Sequence, residues 1–110
     1  MDAESIQARI KADPYNHRLY AKLARAYMDE GEEHRAREIV VARRKHAPDD
    51  PAAHIEWARL CEELGMAKQA KDSYRAALRL SPDNSENLYQ YARLLNDLGY
   101  YEDSIHYLQR

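Results

Sequence analysis

Apolar residues return every three or four positions along most of the chain. Ile55, Ala58, Leu60, Cys61 and Leu64 form one such run, and Ala67, Ala70, Tyr74, Ala77 and Leu78 form the next. Both have the period of an amphipathic helix and not the alternation of a strand. Gly65 stands between them, where a helix C-terminus calls for positive φ and glycine adopts it at least cost. Pro82 follows the second run and cannot extend it. Asp50 precedes the first run and can accept from the free N–H groups of the opening turn, while Pro51 suits the first helical position. Two helices joined by so short a turn pack antiparallel.

The helix pair recurs. Gly31, Gly65 and Gly99 are each 34 residues apart, and so are Pro14, Pro48 and Pro82. Asn16, Asp50 and Asn84 share this spacing ahead of the first helices, as do the dipeptides Ala24-Arg25, Ala58-Arg59 and Ala92-Arg93. A fixed period in this range marks a repeat array. The repeats are placed at 17–50, 51–84 and 85–110, within a single domain spanning 1–110. Residues 1–16 are read as a half-repeat helix, roughly Ala3–Ala12, and the third repeat is eight residues short of the period.

In their residues the units resemble the tetratricopeptide repeat (TPR). Trp57, Ala58, Leu60, Leu64, Gly65, Ala70, Tyr74, Ala77, Leu80 and Pro82 carry the likeness in the second repeat. In the third it rests on Leu88, Tyr91, Ala92, Leu95, Leu98, Gly99 and Leu108, with Ser104 as a substitute. The first repeat matches at Tyr20, Leu23, Ala24, Tyr27, Gly31, Ala36 and Pro48. It departs at Glu30, Arg43, Arg44 and His46, where apolar or small residues are usual, so the pattern does not fix standard packing for its second helix. The resemblance implies an all-α fold, a right-handed superhelical solenoid of antiparallel helix pairs with first helices lining the concave side. Stacking is needed because no helix pair covers its own apolar faces.

Composition narrows the chemistry. Lys and Arg number 17 against 19 Asp and Glu, a net charge of −2, which disfavours a dedicated nucleic-acid binder. The basic run Arg43-Arg44-Lys45-His46 is the one RNA candidate; the alternative is a solvated helix end, where cations favour the dipole. Three glycines 34 apart make no phosphate-cradling loop, and the single cysteine, Cys61, lies on an apolar helix face as an inert thiol. Among His17, His34, His46, His54 and His106 no pair falls at i,i+4. No enzyme, no cofactor and no metal site is expected. No stretch is long and apolar enough to span a membrane, and the start lacks a signal-peptide pattern, so no membrane partner and a reducing, cytoplasmic location are expected.

The resemblance implies a peptide or partner segment held in the concave groove, non-catalytically. Carried over by register, the groove residues are Arg18, Lys22, Arg25, Met28, Ile55, Arg59, Tyr89 and Arg93, with Ala21 and Glu62 among their neighbours. Arg25, Arg59 and Arg93 form a ladder that could hold ligand carboxylates with two bonds each. Each also has an acid four residues on (Asp29, Glu63, Asp97), which could simply support its own helix. TPRs that clamp acidic chaperone C-termini need Lys, Asn and Arg where this chain has Ala21, Arg25, Glu56, Glu86 and Gln90, so that clamp is not expected. The alternative function is that of a structural or oligomerisation segment of a longer repeat protein. Ile105, Tyr107 and Leu108, with no following helix to cover them, would then mediate self-association.

Overall fold

The computed structural model describes residues 2–108, with side chains through Tyr107. Among these residues the chain forms seven α-helices and one 3-10 turn, with no strand. The helices are α1 (Ala3–Ala12), α2 (His17–Asp29), α3 (Glu33–Arg43), α4 (Pro51–Glu63), α5 (Ala67–Leu80), α6 (Ser85–Asp97) and α7 (Tyr101–Leu108); the 3-10 turn, Arg44–His46, follows α3. The chain divides between Pro48 and Asp49 into two compact units.

The helix ends show why the repeat has its period. Asn16, Asp50 and Asn84 each occupy an N-cap, their side chains accepting from Arg18 N, Ala52 N and Asn87 N. Gly31, Gly65 and Gly99 take φ of 80°, 74° and 90°, the left-handed region. One residue later the chain closes each corner with the same bond. Glu32 N donates to Tyr27 O at 2.7 Å, Met66 N to Cys61 O at 2.8 Å, and Tyr100 N to Leu95 O at 2.8 Å. This is the six-to-one closure of a Schellman cap. Nothing lies within 4 Å of a Cβ built on any of the three glycines, so backbone conformation alone demands glycine there.

In the first unit α1 packs on α2, and α2 on α3. Ile6, Leu19, Leu23, Ala24, Tyr27, Ala36 and Val40 are buried. Gln7 Nε2 donates to the Tyr27 hydroxyl at 2.7 Å and ties α1 to α2. The departures at Arg43, Arg44 and His46 have a structural consequence. The span 33–46 corresponds to α5 shifted by one repeat, but its last turn is 3-10 and not α. At the matching places α5 buries Ala77 and Leu78. Arg43 and Arg44 are only half-buried there, and the turn tightens to 3-10.

In the second unit the packed pairs are α4 with α5, α5 with α6, and α6 with α7. Trp57, Ala58, Leu60, Cys61, Tyr74, Tyr91, Ala92 and Leu95 fill the core. Ala58 and Ala92 are fully buried, as expected of small residues at a close helix approach. Ser104 fits in place of alanine because its hydroxyl donates to Ala92 O at 2.8 Å, satisfying a buried polar group. The Tyr107 ring meets Tyr91 at a centroid distance of 4.9 Å.

Candidate protein-binding surface

The first helix of each repeat has one solvated stripe. On α2 it runs through Arg18, Lys22, Arg25 and Asp29, all exposed, with Met28 half-buried beside it. These residues fall three or four apart, so they share one face. Ala21, placed among the groove positions by register, is buried and belongs to the core. On α4, Ala52, Glu56 and Arg59 are exposed and Ile55 is half-buried. On α6, Tyr89 is 56% exposed, a large aromatic turned to solvent.

The three ladder arginines are not equivalent. Arg25 and Arg59 are exposed, whereas Arg93 sits in a polar network between α4 and α6. Its Nη2 reaches Glu62 Oε1 at 2.7 Å, its Nη1 reaches Asp97 Oδ2 at 3.2 Å, and its Nε donates to Gln90 Oε1 at 3.2 Å. The i,i+4 partner expected for Arg93 is therefore present, but the shorter contact crosses between repeats. The other oxygen of Glu62 accepts from the Tyr74 hydroxyl at 2.6 Å. Burial pushes the Tyr74 phenol well above its usual range, and the Glu62 carboxylate beside it pushes the same way. The bond to Glu62 likewise holds the Arg93 guanidinium firmly in its charged form.

The Glu62 side chain is 20% exposed and that of Arg93 38%. A ligand carboxylate approaching Arg93 must therefore compete with a pair already formed at the edge of solvent. Spacing within one sequence gives no signal for this pair, because residues 62 and 93 belong to different repeats and stand out of register. Gln90 Nε2 donates to Glu86 Oε1 at 3.2 Å.

The remaining chemistry-bearing residues do not gather. Cys61 is buried. Among the described residues no three His, Cys, Asp or Glu side chains stand together as a metal site, and no helix is long and apolar enough to cross a membrane. At the other end of the second unit Leu98, Tyr100, Tyr101 and Ile105 are exposed. Of the expected self-association residues, Ile105 is among these, Tyr107 is half-buried against Tyr91, and the Leu108 side chain lies outside the described residues.

The tetratricopeptide repeat profile matches residues 17–60 and 51–94, which together cover most of the chain. The chain belongs to the tetratricopeptide repeat family. No curated protein sequence matches it. Among solved structures the TPR chain is similar to the crystal structure of MamA, with a TM-score of 0.75, 20% identity and 97% of this chain covered. A second structure, "MamA MSR-1 C2", gives a TM-score of 0.70 at 20% identity over 97% of this chain, and covers 62% of its own. The TPR chain spans about 63% of the length of the first MamA chain. At this identity the likeness is one of fold, an all-α helical repeat. TPR repeats are protein–protein interaction modules in general and typically act as non-enzymatic scaffolds.

Proposed function

We propose that this TPR chain is a non-catalytic module that holds a peptide or partner segment against its first helices. The observation that carries the reading is the composition of the solvated stripes. They offer cations at Arg18, Lys22, Arg25 and Arg59, and apolar anchors at Met28, Ile55 and Tyr89. A guest with apolar anchors and acidic flanks complements both, and an exposed tyrosine is a strong anchor because aromatics dominate interface energetics.

The test is selection of peptides from a displayed random library on the intact chain, followed by affinity measurement against variants. Tyr89→Ala and Arg59→Glu are expected to weaken the selected peptides by tenfold or more. Arg93 is a poor probe, since its loss leaves the half-buried Glu62 without that cationic partner. Unchanged affinity in both variants would refute the reading. A second reading, self-association, rests on the exposed Leu98, Tyr100, Tyr101 and Ile105. Under that reading light scattering at two concentrations shows a mass increase that Tyr101→Ser and Ile105→Ser abolish.

A further inference from the structure

The tightened end of α3 leaves a cleft inside the first unit. It is lined by Pro14, Tyr15, His17, Tyr20, Arg43 and His46 and holds about 440 Å³. That is within the range of about 300–1,000 Å³ usual for small-molecule sites. The cleft exists because the first repeat breaks its family pattern. Arg43 and His46 stand where α5 has Ala77, fully buried, and Leu80.

The walls are chemically specific. The Tyr20 hydroxyl donates to Pro14 O at 2.9 Å, which fixes the ring. The Arg43 guanidinium lies 3.8 Å from the centre of that ring, stacked on its face. Stacking satisfies the flat face of a guanidinium and leaves its N–H edge for an oxyanion. No hydrogen bond or ion pair among the described residues takes up that edge. His17 Nε2 is shut from solvent with no hydrogen-bond partner, and His46 provides a second imidazole in the lining. The lining contains no carboxylate, and Asp13, next to Pro14, is engaged by Asn16 Nδ2 at 3.1 Å. Tyr15, 93% exposed, stands at the cleft as a second aromatic wall.

We propose that this cleft binds an aromatic phosphate monoester. The phosphate oxygens accept from the Arg43 edge and from the His46 imidazole, and the ring of the ligand lies against Tyr15. A guanidinium beside an imidazole suits a tetrahedral anion with several free oxygens, and charge-assisted bonds of this kind are the strong ones. Tyr15 adds a preference for a flat ring. The site is separate from the solvated stripe of α2, so it stands or falls independently of peptide binding.

The test is titration of the intact chain with phenyl phosphate, inorganic phosphate and phenol, followed by calorimetry and by NMR of the histidine side chains. Phenyl phosphate is expected to bind at least tenfold more tightly than either fragment and to move the His17 and His46 signals. Arg43→Ala should weaken it tenfold or more. Arg79→Ala, an exposed arginine of the second unit, should leave it unchanged. Circular dichroism checks the fold; if Arg43→Ala disturbs it, Arg43→Lys carries the test, keeping charge but losing the fork. Phosphotyrosine, an aryl ester, should bind more tightly than adenosine monophosphate, an alkyl ester, and the reverse order would overturn the proposal. Phenyl phosphate no tighter than phosphate, unmoved histidine signals, or full affinity without the Arg43 guanidinium would each overturn the proposal.

Discussion

Removing one oxygen from the core of the second unit isolates one bond of the network around Glu62. Tyr74 is fully buried, and its hydroxyl has Glu62 Oε2 as acceptor at 2.6 Å. Tyr74→Phe deletes this bond and leaves the ring packing intact. Hydrogen bonds to charged groups contribute about 1.5–3 kcal/mol net. Glu62 keeps Arg93 on its other oxygen and is 20% exposed, so water compensates part of the loss. The expected cost is therefore near the lower end, about 1.5 kcal/mol. For a domain of this size that is a fall of roughly 6–12 °C in Tm. Glu62→Gln removes the charge shared by both partners and should cost about 1–2 kcal/mol. The two residues share one carboxylate, so the double variant should cost less than the sum of the singles, by about 0.5–1.5 kcal/mol. Urea unfolding followed by far-UV circular dichroism measures all three. A Tyr74→Phe cost below about 0.5 kcal/mol, or strict additivity, would refute the bond to Glu62 as a stabilising link between α4 and α5.

The same phenol predicts a pH effect. Its folded-state value lies above the ordinary 10.0, so the folded chain holds a proton there that the unfolded chain releases, and stability falls as pH rises above 10. Wild type should lose more stability between pH 9.5 and 11 than Tyr74→Phe does, and equal losses would contradict the assignment. Gly65→Ala should cost about 1–2 kcal/mol from φ alone, since space for the methyl is open, with Gly65→Asn cheaper; equal costs would show that something other than backbone conformation is at stake. Asn87 is buried without a side-chain hydrogen bond among the described residues, at the register place of Leu19 and Ala53. Asn87→Leu should stabilise by about 1 kcal/mol in thermal or urea unfolding, and a loss of stability would show that the amide is satisfied.

Much of the fold was legible because its determinants are local. A glycine at positive φ, an Asn or Asp cap and a breaking proline act within a few residues, so their 34-residue rhythm shows directly in the chain. The weak end of the first repeat was visible at Arg43 and His46, although the 3-10 turn and the cleft it leaves were not, since both depend on what the larger side chains exclude. Asn87 was missed because a polar residue in an amphipathic pattern reads as solvated; only its alignment with Leu19 and Ala53 flags it as core. Ala21 went the other way, since a groove position transferred from a family pattern says nothing about what packs on it here. The Glu62–Arg93 pair was hidden because it joins neighbouring helical hairpins through side chains that no periodicity connects.

If the first helices carry the binding surface, amide NMR of a library-selected peptide on the intact chain will show it. Shifts are expected on α2, α4 and α6 around Arg25, Arg59 and Tyr89, with little change on α3, α5 and α7. Shifts confined to the face of Tyr100, Tyr101 and Ile105, or to the cleft between Tyr15 and His46, would contradict it.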